Sequence, residues 1–182
     1  MAIYITIGIV VILLIFIISI YNSLVRAKNI VKEAFSGIDV QLQKRFELIP
    51  NLVDTVKAYN QHEADTLSAV VQNRNKTGDN IQETAETDKL VTQKLERFKV
   101  QIEDYPDLKS NTQFLKLMDN LSTVEEELSM SRRYYNGTAR DFNIKMEVFP
   151  NNIMAPIFNF KKVDFYSFEG SSKEAPEVNL ND

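Results

Sequence analysis

Residues Ile3–Tyr21 read IYITIGIVVILLIFIISIY, a run of 19 positions without a charged side chain. As an α-helix with about 1.5 Å rise per residue, the run is about 28 Å long, which matches the hydrocarbon thickness of one bilayer. Fourteen of the residues from Ile3 to Ile20 are Ile, Leu, Val or Phe. Each of these favours membrane insertion by roughly 0.3 to 0.6 kcal/mol. The run therefore predicts a single membrane-spanning helix, and we take residues 1–21 as the anchor.

A cleaved signal peptide is the main alternative for this run. It would need a basic segment before the apolar stretch and a cleavage site of small residues after it. Only Met1 and Ala2 precede the run and no A-x-A follows it, so an uncleaved anchor is expected. The basic residues Arg26, Lys28 and Lys32 follow the run, and the positive-inside rule predicts that the polar domain is cytoplasmic.

The composition of the remaining chain is that of an ordinary water-soluble domain. All 21 basic and 25 acidic residues lie after Val25, the net charge is −4 and the pI is about 5.2. This charge argues against a nucleic-acid-binding surface, which would be basic. The absence of cysteine excludes disulfides, thiolate zinc sites and cysteine nucleophiles. We expect one domain over residues 22–169 and a disordered polar tail over 170–182.

Apolar residues recur at helical spacing along the whole domain, which predicts an all-α fold. The expected architecture is the N-terminal membrane helix followed by an antiparallel four-helix bundle. The first stripe is expected to end at Pro50, which lacks a backbone donor. A second helix should follow Pro50. A polar loop should come next, and an Asn80…Glu83 capping pair should begin the third helix. The third helix should end at Pro106. The stripes contain Leu24, Ala27, Val31, Ala34, Ile38, Leu42, Phe46 and Ile49; Leu52, Val56, Tyr59, Leu67 and Val70; Val91, Leu95, Phe98, Ile102 and Tyr105; and Phe114, Met118, Leu121, Leu128, Tyr135, Phe142, Met146 and Phe149.

Charged residues interrupt these apolar stripes or lie beside them. Buried charges are tolerated only when they are paired, so these residues predict a polar network, either structural or an interaction site. The candidates are Asp39, Arg45, His62, Glu63, Glu125 and Arg132, with Arg45, Glu63, Glu125 and Arg132 as its expected centre.

The sequence predicts no metal, cofactor or catalytic site. A di-iron bundle needs two Glu-x-x-His motifs, whereas the chain has one histidine. His62-Glu63 begins like the H-E-x-x-H zinc motif, but Thr66 stands at the second ligand position. An enzyme that uses His62 with Glu63 and Glu125 is kept as a remote alternative.

The last part of the domain is rich in aromatic residues and is expected to lie near the lipid headgroups, because the fourth helix of the bundle returns toward the membrane. These residues predict either an exposed interface strip or a cover over the open end of the core. They are Phe158, Phe160, Phe165, Tyr166 and Phe168.

Four segments resemble the LemA family. They are YNSLVRAKNIVKEAFSGIDVQLQKRFELIPNLVDTVKAYNQHE at Tyr21 to Glu63, YPDLKSNTQFLKL at Tyr105 to Leu117, SRRYYN at Ser131 to Asn136 and FPNN at Phe149 to Asn152. The resemblance implies a bacterial membrane protein with an N-terminal anchor and an antiparallel four-helix bundle, and it implies no reaction. The matched signature positions are Asp39, Arg45, Pro50, Asn51, His62, Glu63, Tyr105, Pro106, Glu125, Arg132, Tyr135 and Asn136.

Together these features predict a non-enzymatic adaptor or scaffold in the bacterial cell membrane. The expected partners are the membrane itself, crossed once, and another membrane protein. A structural protein that self-associates laterally is the alternative function.

Overall fold

The computed structural model describes residues 1–57 and 80–167. Three long helices occur among the described residues, together with two short helices and a 3₁₀ turn. In chain order the elements are α1 (Ala2–Lys57), α2 (Ile81–Gln101), the 3₁₀ turn (Ile102–Asp104), α3 (Pro106–Lys109), α4 (Thr112–Glu147) and α5 (Asn151–Ile157). The described residues contain no strand, and the prediction of an all-α fold with an N-terminal membrane helix and a helical bundle is confirmed.

Helix α1 passes through Pro50 without ending, so the prediction that the first helix stops there is wrong. Proline inside a helix costs about 3 kcal/mol because one backbone hydrogen bond is lost. The apolar stripe continues beyond it, and Leu52, Val53 and Val56 are all buried. Their burial, at roughly 1.5 to 3 kcal/mol for each large side chain, outweighs that cost. The ring of Pro50 is exposed, where it displaces no core side chain.

The prediction of a helix start at Asn80 is confirmed. Asn80 is the N-cap of α2, and its side-chain oxygen accepts a hydrogen bond from the backbone N–H of Gln82 at 3.0 Å. At the other end of this region, Pro106 is the first residue of α3 rather than the end of the preceding helix, a position where its missing N–H costs nothing. The predicted second helix beyond Lys57, the polar loop before Asn80 and the tail 170–182 lie outside the described residues.

The chain divides into two compact units. The anchor unit comprises Met1–Ile38 and Ser129–Phe165. The network unit comprises Asp39–Leu128 and Tyr166–Asp182, of which the structure describes 39–57, 80–128 and 166–167. The described core of the anchor unit contains Ile20, Leu24, Val31, Ala34, Ile38, Tyr135, Ala139, Phe142 and Ala155. The described core of the network unit includes Leu42, Phe46, Ile49, Leu95, Phe98, Leu108, Leu121 and Leu128.

The first part of α1 has the exposure of a membrane helix. Its most apolar 18-residue window is only 6% buried against the rest of the protein. The core helix of a soluble protein would instead have this apolar surface covered by other helices. Among the described helices, α1 is the one that is long and apolar enough to cross a bilayer.

Candidate functional site

The network unit contains a buried ionic cluster centred on Arg45. Its guanidinium donates from Nη2 to Oδ1 of Asp88 at 2.8 Å, and from Nη1 to Oε1 of Glu125 at 3.1 Å and to Oγ1 of Thr92 at 3.1 Å. Tyr166 donates its phenolic hydrogen to Oδ2 of Asp88 at 2.7 Å. We call these five residues the Arg45 network.

The Arg45 network is closed to solvent at its centre. Arg45 and Asp88 are 0% exposed, whereas the side chain of Glu125 is 22% exposed and forms the outer edge. A charge-assisted pair in such a place joins helices with fixed geometry, and each carboxylate oxygen that is removed from water needs a donor. The arrangement therefore fits a structural role more closely than it fits a site open to a substrate.

Asp88 and Thr92 belong to the Arg45 network but were not predicted from the sequence, and Tyr166 was predicted only as part of the aromatic strip. Asp88 is the charged residue of this group. It lies three residues before Val91 on α2, so it occupies a position of the same buried stripe. The stripe of this helix extends two turns further toward its N-terminus, through Asp88 to Thr84, and both side chains are fully buried. A charged residue in register with an apolar stripe was the available signal.

One turn of α1 also holds a buried donor and a buried acceptor with no hydrogen-bond partner in the described part of the chain. These atoms are Nε of Arg45 and Oε1 of Gln41. Each unsatisfied buried polar atom lowers the stability of the folded state by about 1 to 3 kcal/mol, so burial of the Arg45 network is destabilising at this turn.

The other predicted members of the polar cluster are placed differently. Asp39 is exposed on α1 in the network unit, and Arg132 is half-buried on α4 in the anchor unit. His62 and Glu63 lie outside the described residues. Of the predicted centre, the structure brings Arg45 and Glu125 into contact.

In the anchor unit, two side chains of α4 form hydrogen bonds with the backbone of the extended segment at residues 163 and 164. Asn143 donates to the carbonyl of Val163 at 2.9 Å and accepts from the N–H of the same residue at 3.0 Å. Tyr135, two turns earlier, donates to the carbonyl of Asp164 at 2.8 Å. Burial, and secondly the negative charge of Asp164, raise the pKa of Tyr135 to about 12.

Between α4 and this segment the chain forms a tight turn around α5, which we call the elbow (residues 148–160). Asn159 has a φ of 55°, the N–H of Phe160 bonds the carbonyl of Ala155 at 2.9 Å and that of Asn159 bonds the carbonyl of Pro156 at 3.0 Å. This is a Schellman motif, in which a left-handed residue ends the helix. It turns Phe160 back toward the helix, and Phe160 and Ala155 belong to one cluster with Ile20 and Leu24 of α1.

Ring contacts also hold the elbow to the end of the apolar run. Tyr21 packs edge-on against Phe158 at 5.0 Å and against Phe160 at 5.9 Å between centroids. The ammonium of Lys28 lies 5.8 Å from the centre of the Phe160 ring. The elbow therefore packs on α1 within two turns of the point where the apolar run ends.

The predicted aromatic strip is divided between core and surface. Tyr166 is buried in the Arg45 network and Phe160 is half-buried, so neither belongs to an exposed strip. Phe158 and Phe165 are exposed, while Phe168 lies outside the described residues. The larger exposed apolar surface is on the elbow itself, where Phe149 is 79%, Ile153 52% and Ile157 67% exposed. We call these three residues the elbow surface.

The sequence pattern of the LemA family matches residues 34–180, which is most of the chain. The chain belongs to the LemA family. A LemA protein of Metamycoplasma hominis is 28% identical over 167 residues, which are 88% of this chain and 74% of that protein. The LemA family is a membrane-associated family and is not a known enzyme family.

Two magnetosome proteins of Paramagnetospirillum magneticum, MamQ 1 and MamQ 2, are also similar to part of this LemA-family chain. Each is 29% identical over 72 residues, which are 40% of this chain and 26% of the relative.

Among the described residues, no group of three or more histidine, aspartate or glutamate side chains is placed to hold a metal ion.

Proposed function

We propose that this LemA-family protein is a membrane-anchored, non-enzymatic adaptor in the bacterial cell membrane, whose elbow surface binds a neighbouring membrane protein. The observation that supports this is the exposure of Phe149, Ile153 and Ile157 on a turn that packs on Ile20 and Leu24 of the membrane helix. The three side chains lie within nine residues of the same turn, and exposed apolar patches mark interaction sites in folded proteins.

The elbow surface is pre-organised for binding. The Schellman motif and the rings of Tyr21, Phe158 and Phe160 hold α5 in one position, so a partner loses little affinity to ordering of the surface. Anchoring in the same bilayer raises the effective concentration of a membrane-embedded partner, which allows a small apolar surface to be sufficient.

The Arg45 network supports a scaffold rather than catalysis. Its central carboxylate, Asp88, is fully buried and is occupied by Arg45 and Tyr166. A general acid or base must reach the substrate, directly or through one water. The enzyme alternative with His62, Glu63 and Glu125 places two of its three residues outside the described part of the chain.

Site-specific photo-crosslinking in intact bacteria tests the proposal. A photoreactive residue is placed at position 149, 153 or 157 of the full-length chain. A matched control carries it at position 100, because Val100 is also apolar and is 72% exposed but lies on α2 in the network unit. We expect a discrete adduct with a membrane protein at the elbow positions, absent at position 100, and lost when Ile153→Lys accompanies the probe at 157.

Three results would contradict the adaptor. Adducts of two copies of this chain would indicate the alternative function, lateral self-association as a membrane-organising protein. Adducts with lipid alone would assign the elbow surface to the bilayer. Equal labelling at position 100 would show that the reaction reports exposure rather than a docking site.

A further inference from the structure

A groove runs along α1 where the helix leaves its apolar run, entirely within the anchor unit. It has a volume of about 620 Å³, and Ile15, Ile18, Asn22, Ser23, Arg26 and Lys145 are among its lining residues. The end of α4 supplies Lys145, and the other five come from α1.

From Ile15 to Arg26 the lining of the groove changes from apolar to cationic along α1. Ile15 and Ile18 are exposed and belong to the apolar run, Asn22 and Ser23 follow, and Arg26 comes next. Ala27 and Ile30 complete the lining beyond Arg26. The 12 residues from Ile15 to Arg26 span roughly 16 Å along the helix axis. Over this part of the groove, an apolar floor followed by amide, hydroxyl and then cationic groups matches the order of acyl chain, glycerol backbone and phosphate in a phospholipid.

The cationic end of the groove lacks counter-ions in the described part of the chain. Neither the guanidinium of Arg26 nor the ammonium of Lys145 forms a salt bridge there, and no acidic residue lines the groove. By contrast, Lys162 of the same unit is paired with Glu147. Two cations from two helices that face one groove attract a phosphodiester, which a guanidinium can bind through two parallel hydrogen bonds.

We propose that this groove binds one anionic glycerophospholipid of the surrounding bilayer, with an acyl chain along Ile15 and Ile18 and the phosphate between Arg26 and Lys145. The lipid fills the groove between α1 and the end of α4 and fixes the depth at which the anchor unit sits in the membrane. The proposal concerns a lipid at α1 and stands apart from the protein partner of the elbow surface.

Native mass spectrometry of the full-length protein in detergent micelles tests the site. The protein is titrated with dioleoyl phosphatidylglycerol, with dioleoyl phosphatidylcholine and with inorganic phosphate. We expect one tightly retained phosphatidylglycerol, with weaker retention of phosphatidylcholine and no competition by millimolar phosphate. Arg26→Gln and Lys145→Gln should each weaken phosphatidylglycerol binding about fivefold, the usual contribution of one cation near an anionic lipid surface.

The matched control is Lys32→Gln, which removes the same charge from an exposed site of α1 outside the groove lining. It should retain phosphatidylglycerol almost as the unchanged protein does. Equal losses for Lys32→Gln and Arg26→Gln would overturn the proposal, because the effect would then be diffuse electrostatic attraction. Equal retention of phosphatidylcholine, or displacement by inorganic phosphate, would overturn it as well. Unchanged circular dichroism of each variant shows that the helices are intact.

Discussion

The phenolic oxygen of Tyr166 lies 2.7 Å from Oδ2 of Asp88, and both side chains are buried in the network unit. Asp88 accepts from Arg45 through its other oxygen, so a residue 78 positions further along the chain binds the second carboxylate oxygen of a buried ion pair. Tyr166 thus contributes to the polar centre of the network unit.

Removal of the cation should destabilise the network unit strongly. Arg45→Met leaves Asp88 buried without its counter-ion, and we expect the free energy of unfolding to fall by about 3 to 5 kcal/mol. Lys44→Met is the matched control, because Lys44 is the next residue of α1 and its pair with Glu127, at 3.2 Å, is exposed. That control should lose less than about 1 kcal/mol. Denaturant unfolding of the detergent-solubilised chain, followed by circular dichroism, measures both, and equal losses would exclude a buried ion pair.

Removal of both charges should restore part of the lost stability. Arg45→Met combined with Asp88→Leu replaces the pair by apolar groups, and such replacements are often neutral relative to the original pair. We expect the double variant to be more stable than Arg45→Met alone. A double variant that loses the sum of the two single effects would contradict direct coupling between the two side chains.

Loss of the phenolic donor should have a smaller effect. Tyr166→Phe keeps the ring in the core and removes one hydrogen bond to a charged acceptor, so a loss of about 1 to 3 kcal/mol is expected. Tyr134→Phe removes the same atom from a side chain that is 58% exposed and serves as the control. The same unfolding measurement applies, and a loss for Tyr166→Phe no larger than that for Tyr134→Phe would place the hydroxyl outside the network.

Tyr135 should make stability fall at high pH. Burial and the charge of Asp164 raise its pKa from 10.0 to about 12 in the folded chain, so the unfolded chain releases the proton first as the pH rises. The contribution of the protonated Tyr135 hydroxyl to the free energy of unfolding is complete below pH 10 and is lost between pH 10 and about 12. We expect Tyr135→Phe to show a shallower decrease in the free energy of unfolding over this interval than Tyr134→Phe shows. Parallel curves for the two variants would contradict the assignment.

Asn159 should tolerate glycine and reject a β-branched residue. Its φ of 55° is left-handed, a conformation that asparagine and glycine adopt readily. Asn159→Gly should leave the thermal midpoint nearly unchanged, whereas Asn159→Val should cost about 1 to 2 kcal/mol. Differential scanning calorimetry compares the two, and an equal response to both would mean that the Schellman motif contributes little to the anchor unit.

The sequence predicted the helices of the bundle well where burial and local chemistry agree. The stripe from Leu24 to Ile49 is buried except for the half-buried Ala27, and Asn80 caps α2 as its side-chain oxygen requires. At Pro50 burial and local chemistry conflict. The missing backbone donor of proline predicted a helix end, whereas burial of the apolar residues after Pro50 favours the continuous helix that is observed.

The sequence by itself determined the membrane anchor and the all-α class, because a charge-free run of 19 residues and a helical apolar period need no knowledge of neighbours. Only the tertiary structure decided that Asp88 is, among the described residues, the closest acidic partner of Arg45, and that Tyr166 is buried while Phe149 is exposed. The physical reason is that the partners of a side chain depend on which helix faces meet, and that burial depends on what covers a residue. Neither is encoded in the spacing of residues along one helix.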